Sequence, residues 1–494
     1  MTLADAFLNL ATPLPFLLMM VGVTIGIAVG VMPGITAGML MALTLPFTYS
    51  MAPTNAIVLL ISMFVGGISG GLVTATLMRI PGEPNAVMTT LDGYPLAKKG
   101  FPGRALGLGN AGSIVGGFVG WLFLVLLTRP VADLAVLLGP WENFALVLTA
   151  LVLVSSLSRG SFLKGMISAL LGVLVAMPGV DQTSGIVRLT FGVEALTNGF
   201  QLLPVVIGLF AMSQLVADTM HIEQSNEHIR ASMRGVVLRL GDYVVHGWNM
   251  LRSSLIGVWI GIHPGVGSAV SSIVAYTVAK NVSKTPEAFG TGSEEAIVAA
   301  ESANNATTGG SLIPLLALGI PGGIADAILL AALVMHNLRP GPLLFSTNPE
   351  IVNTIMATHL VAHVAMYVMM TAGVLLFARL MLVPRAILFP IVVVFCIVGA
   401  YAVDGQVSDV WIMLLFGLVG LSMELARFPL APFVIGFVLA PMAEAKLRSA
   451  LMISDGSMLP LVTRPGSLGL LLVAAACFVW PFWREWRKGS ATRK

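Results

Sequence analysis

Residues 55–78 run for 24 positions without one charged side chain, and twelve other stretches of similar character lie along the chain. A helix of that length, rising 1.5 Å per residue, crosses the roughly 30 Å apolar core of a bilayer. No water reaches the backbone there, so a spanning chain must form helices or a closed barrel. The apolar runs of the first half are 13–32, 55–78, 105–128, 142–157, 162–178 and 199–217. Those of the second half are 253–278, 324–346, 351–378, 386–403, 407–423, 428–443 and 466–482. The pattern predicts an all-α polytopic membrane protein with roughly ten to thirteen membrane segments, depending on which are re-entrant. Composition agrees: 57% of the 494 residues are hydrophobic and 10% are charged, too few charges to cover a soluble surface of this size.

Other classes fall away on the same grounds. Cys396 and Cys477 lie far apart in apolar runs, with no metal or redox spacing, so no cofactor is expected. No lysine or arginine precedes Arg79, so the N-terminus lacks the basic region of a cleaved signal. No basic stripe on a soluble domain suggests a nucleic-acid partner; the expected surroundings are the lipid bilayer.

The long polar stretch 218–252, with Arg230, Arg234, Arg239 and Arg252, divides the chain. This gives a first transmembrane half (1–217), a cytoplasmic connecting loop (218–252), a second half (253–465), and a final helix with a basic tail (466–494). The halves repeat one another. GVMPG at 30–34 echoes GIHPG at 261–265, with 231 residues between Pro33 and Pro264. RIPGEP at 79–84 echoes GIPGGI at 319–324, with 240 residues between Pro81 and Pro321. Charge bias reverses between the copies: Lys98, Lys99 and Arg104 follow the first, whereas the four arginines precede the second. By the positive-inside rule the repeats have inverted topology, with the 218–252 loop inside. The tail WREWRKGSATRK follows an aromatic cluster (Trp480, Phe482, Trp483, Trp486), which places the C-terminus in the cytoplasm. Lys446 and Arg448 fit this count less well.

Proline removes a backbone donor and glycine loosens a helix, so Pro33, Pro81, Gly82, Pro264, Pro321 and Gly322 mark breaks within apolar segments. Discontinuous helices in inverted repeats are a sequence pointer to a secondary transporter, because their half-helix ends offer amide donors to an anion. The small residues after each break are the candidate substrate-binding set: Gly34, Ile35, Thr36 and Ala37, then Gly265, Val266, Gly267 and Ser268. A packing kink between close helices is the plainer reading of either copy alone. The stretch ESANNATTGG, 301–310, adds Asn304, Asn305, Thr307 and Thr308, whose donors and acceptors suit a carboxylate and a cation together. A coupling cation is a candidate near Asn304, Asn305 and Asp326, although an interfacial cap explains the same residues. Arg79 is an anion anchor or a partner for Glu83.

Three patterns carry less. GLGNAG at 107–112 opens a membrane span rather than a βαβ unit, and with Gly116 and Gly120 it resembles a helix-packing face. GISGG at 67–71 matches a nucleophile elbow around Ser69 but lacks a preceding strand and partners. His359 and His363 share a helical face without the glutamate of a zinc motif, which favours buried polar packing over a metal or proton relay.

The two G-x-x-P-G breaks, the IPG motifs at 80–82 and 320–322, TTLDGYPLAKKG at 89–100 and the long motif at 287–322 resemble the large membrane subunit of the tripartite tricarboxylate transporter family. The likeness covers most of the first 345 residues and thereafter is mainly one of hydropathy; Arg79 departs from the small polar residue expected at its position. The resemblance implies a non-enzymatic carrier of the bacterial inner membrane, working with a small transmembrane subunit and a periplasmic solute-binding protein. It implies import of an organic carboxylate, of the tricarboxylate or dicarboxylate class, driven by Na+ or H+. A stand-alone carrier is the alternative, and an intramembrane hydrolase at Ser69 a more distant one.

Overall fold

Helices supply nearly all the regular structure, as a bilayer requires. In the computed structural model the described residues are all except 1, 33, 158–160, 182–184, 221–228, 384, 403, 404 and 492–494. The chain opens with α1 (Leu3–Leu10), α2 (Pro13–Gly30), α3 (Ala37–Thr48), α4 (Pro53–Met78), α5 (Thr89–Lys98) and α6 (Pro102–Val136). Then come α7 (Pro140–Leu157) and α8 (Phe162–Val175), followed by a two-stranded ribbon of β1 (Gly179–Val180) and β2 (Val187–Arg188). A π-helical turn separates α9 (Leu202–Val206) from α10 (Ser213–Met220). The second half holds α11 (Leu240–Ile262), α12 (Gly267–Val282), α13 (Glu294–Leu318), α14 (Ile324–Met335) and α15 (Leu344–Thr347). The remainder is α16 (Pro349–Leu380), α17 (Arg385–Ala402), α18 (Val407–Leu425), α19 (Leu430–Ile453), α20 (Pro460–Thr463) and α21 (Pro465–Ala491). Proline opens α2, α4, α6 and α16, where its missing amide has no helical partner to lose.

Among the described residues, six helices are long and apolar enough to cross a membrane: α2, α4, α6, α16, α18 and α19. The sequence run 253–278 is not one helix, because α11 stops at Ile262 and α12 starts at Gly267. The polar stretch 218–252 contains the beginning of α11, where the Arg239 amide donates to Asp242 Oδ2 (2.8 Å).

Glycine ridges set the packing. α2 lies parallel to α4, with Gly22 against Ser62, Gly26 against Gly66 and Gly67, and Gly30 against Gly70. α11 lies parallel to α13, with Gly257 against Ala303 and Gly261 against Thr307 and Gly310. A Cβ at Gly26 would sit 2.5 Å from the Met63 carbonyl oxygen, and one at Gly257 would sit 2.2 Å from that of Ala303. Such backbone proximity is how membrane helices gain van der Waals contact without a hydrophobic drive between them. Gly26 and Gly257 are separated by 231 residues, as are Gly30 and Gly261, while Gly70 and Gly310 are separated by 240. These are the two spacings of the Pro-Gly motifs.

Each half then turns back on itself. α3 begins beside Gly67 and must reach Pro53 through residues 49–52, so it retraces α4. At 1.5 Å per residue, its 12 residues cover about 18 Å, close to the climb from Gly67 to Pro53. α12 retraces α13: Ser271 and Ser272 donate to the carbonyls of Ala303 (3.4 Å) and Ala300 (3.5 Å). α4 ends on the face where α11 and α13 begin. There the Ile229 amide donates to the Leu77 carbonyl (2.9 Å), and buried Asp92 in α5 accepts from Gly290, Gly292, Ser293 and the Tyr276 hydroxyl. Arg104 joins this face by pairing with Asp242 and Glu294, both at 2.8 Å. The face of 107–120 packs on α13, with Gly112 and Gly116 against Ser302 and Gly120 against Ala306.

Candidate functional site at the helix breaks

The breaks come together inside the molecule. Gly34 (φ 96°) and Gly265 (φ 78°) both adopt left-handed geometry at the turn, which glycine alone takes without steric cost. The Gly265 amide donates to the Gly322 carbonyl (2.9 Å), tying one break of the second half to the other. Arg79 (φ 59°) and Gly319 (φ 72°), 240 residues apart, occupy the same left-handed cap at the ends of α4 and α13. Arg79 therefore spends its position on a helix stop: it is exposed, and its guanidinium stands 6.0 Å from the centre of the Tyr94 ring. The expected Arg79–Glu83 pair does not form among the described residues. Instead the Glu83 carboxylate accepts the amide of Ala37, the first residue of α3.

A cavity of about 210 Å³ lies between the breaks, where α3, α12 and α14 begin. Its walls include Thr36, Ala37, Gly265, Val266, Gly267, Ser268, Thr307, Thr308 and Asp326 from the sequence-derived set. An adjoining space of about 350 Å³ shares Thr36, Pro84, Gly265 and Val266 and extends to Gln214, Glu424 and Phe428. Three helix N-termini bring the positive ends of their dipoles to one small volume; α3 has side-chain partners for its Ala37 and Met39 amides, whereas α12 starts without a side-chain cap among the described residues. Thr36 caps α3 by accepting the Met39 amide (3.1 Å), and Ser311 Oγ donates to Asp326 Oδ1 (2.9 Å).

The other sequence-derived residues lie behind the wall. Ile35 is buried in the turn that begins at Gly34. Gly82 packs on the Gly30 carbonyl and Gly322 on Ser311 and Gly261, so Pro81 and Pro321 serve the breaks themselves, as Pro264 does; Pro33 lies outside the described residues. Asn304 and Asn305 are fully buried in a network apart from the cavity. Asn304 donates to Glu301 Oε2 (3.0 Å), Asn305 donates to the Glu301 carbonyl and Asn304 Oδ1, and Thr89 donates to the other oxygen of Glu301. Ser69 donates to Asn305 Oδ1 (2.8 Å), an amide oxygen rather than a base. His359 Nε2 shares a hydrogen bond with Thr308 Oγ1 (2.9 Å), which links the histidine pair to the cavity wall.

Sequence reasoning missed Glu83, Asn85, Ser311 and Gly323, all of which line the cavity. The signal was present in the repeat: position 83 in RIPGEP corresponds to position 323 in GIPGGI, so a carboxylate faces a glycine.

Comparison with known proteins decides the family. Residues 16–435 match the model of the tripartite tricarboxylate transporter TctA family, a region that includes both sets of breaks and every cavity residue named above. The chain belongs to this family. It is 32% identical over 477 residues to an uncharacterized 52.8 kDa protein in the TAR-I ttuC' 3'region of Agrobacterium vitis, covering 97% of this chain and 95% of that one. An uncharacterized protein in the TAR-II ttuC' 3'region of the same organism is 33% identical over 198 residues, covering 40% of this chain and 82% of its own length. No solved structure matches the chain. Membership makes the chain a multi-pass membrane protein of a transporter family, and its cavity at the helix breaks a place to look for the cargo.

Proposed function

We propose that the chain is the large membrane subunit of an importer of an organic carboxylate, fed by a periplasmic solute-binding protein and assembled with a small transmembrane subunit. The carrying observation is the cavity where α3, α12 and α14 begin, inside a chain of a tricarboxylate transporter family. Helix N-termini favour a carboxylate, and broken backbone persists at membrane depth only where it is buried or lines a cavity. Asp326 in its wall offers an oxygen to a coupling Na+ or a place for H+. We read the halves as inverted repeats, supported by the shared spacings of 231 and 240 residues and by α4 ending on the face where α11 and α13 begin. Hairpins that enter from opposite faces and meet midway suit alternating access, with the two hairpins moving as an elevator-like unit. The host membrane in this reading is the bacterial inner membrane, with the C-terminus in the cytoplasm.

Uptake of radiolabelled carboxylate into proteoliposomes, driven by a Na+ or pH gradient, tests this reading. Transport is expected only with the small subunit and the loaded binding protein present. Full-rate uptake by the large subunit alone would assign it instead to the stand-alone carriers.

A further inference from the structure

The two breaks share a left-handed glycine after the proline, Gly34 and Gly265, and then differ in backbone and in charge: Thr36 is extended where its counterpart Gly267 is left-handed (φ 73°). At the start of α3, the Thr36 hydroxyl holds the Met39 amide and the Glu83 carboxylate holds the Ala37 amide. Glu83 is 5% exposed and its side chain crosses from the other break of its own half. The start of α12 has no side-chain cap among the described residues, and Gly323 stands at the position corresponding to Glu83. The second-half acid, Asp326, corresponds to Ala86; its Oδ1 takes the Ser311 hydroxyl, and its Oδ2 lies beside Gly323 in the cavity wall. One helix end is thus filled by the protein's own carboxylate, and its counterpart opens onto the same cavity with Gly267, Ser268 and Ala269 in the wall.

The Glu83 side carries a second mark. Asn85 lines the cavity, is 1% exposed and donates its Nδ2 to the Ile68 carbonyl (3.1 Å), which fixes the amide orientation. Its Oδ1 has no hydrogen-bond partner among the described residues. A buried carbonyl oxygen left in this way asks for a donor. The cavity is therefore donor-rich at α12 and acceptor-rich at Glu83 and Asn85.

Resting on the reading of this cavity as a carboxylate site, we propose that Glu83 stands in for a second substrate carboxylate and sets specificity. The cargo lays one carboxylate on the α12 end and turns a hydroxyl donor toward Glu83 and Asn85. A substrate that brings carboxylates to both ends meets Glu83 with like charge and is disfavoured. This narrows the cargo to hydroxycarboxylates.

Four-carbon acids matched in length test the assignment: 4-hydroxybutyrate, butyrate and succinate, titrated calorimetrically into the purified full-length chain. Wild type is expected to prefer 4-hydroxybutyrate over both others. Glu83→Gly, which copies the second half, should shift the ratio of succinate to 4-hydroxybutyrate affinity toward succinate by about tenfold, the scale of a relieved like-charge contact. Glu83→Gln keeps a hydrogen-bonding group without the charge and should shift the ratio the same way by less. Wild type that ranks succinate first, or an unchanged ratio in both variants, would overturn the assignment while leaving the carboxylate site intact. Wild type that binds none of the three, nor citrate, would defeat the reading of the cavity itself, and the assignment with it.

Discussion

Asn305 is held at both ends of its amide. Its Nδ2 donates to the Glu301 carbonyl (3.2 Å) and Asn304 Oδ1 (2.6 Å), and its Oδ1 accepts from Ser69 (2.8 Å), all out of reach of water. Asn305→Ala leaves the Ser69 hydroxyl and the Asn304 oxygen without these partners, at about 1–3 kcal/mol for each unmet group. Unfolding in detergent should show that loss, and a cycle with Ser69→Ala should be non-additive by about 1 kcal/mol. Additive effects would mean the two side chains do not meet. The polar density of 301–310 is legible in the sequence, but its direction is not. Every residue of α13 from Ala296 to Ala317 is buried, so no polar–apolar face exists from which to read which side chains reach the cavity. Thr307 and Thr308 reach its wall; Asn304 and Asn305 turn toward their own helix and Ser69. Glu83 escapes sequence reading for a related reason. Its nearest opposite charge in sequence is Arg79, but the left-handed cap at Arg79 sends that side chain outward.

Helix pairs here depend on bare backbone. Gly257 lies against the Ala303 carbonyl, whereas Gly247, in the same helix, has no atom within 4 Å of where its Cβ would be. Gly257→Ala should cost about 1–3 kcal/mol through overpacking. Gly247→Ala should be neutral or stabilise by up to about 1 kcal/mol through helix propensity. Thermal unfolding of the two variants decides this, and equal shifts would refute the close α11–α13 approach. The breaks themselves were visible as proline and glycine in apolar runs, since few other residues stop a helix at that depth. The lengths of the returning helices were not, because the run 253–278 stays apolar through the turn and hydropathy does not register a reversal.

Across the whole molecule, the two spacings of 231 and 240 residues recur in the motifs, the glycine contacts and the left-handed caps. Arg448, which sits awkwardly in a count of loop charges, is engaged with Asp181 (2.9 Å) and Glu444 (2.7 Å), so it brings little free positive charge to its face. Asp92 clamps α5 to the loop before α13, joining the halves around the cavity they line together. If this shared cavity takes the carboxylate at its open α12 end, filling that end stops transport. Gly323 has extended backbone (φ −163°), and the nearest atoms to an added Cβ are Asp326 Oδ2 at 3.4 Å and Gly267 Cα at 3.9 Å, so a side chain fits there. Gly323→Glu would give α12 the internal carboxylate that Glu83 gives α3. The deciding measurement is binding-protein-dependent uptake by this variant in proteoliposomes, with its unfolding temperature recorded alongside. A folded protein whose uptake is lost is expected; a folded variant that transports at the wild-type rate would show that the cargo does not use the α12 end.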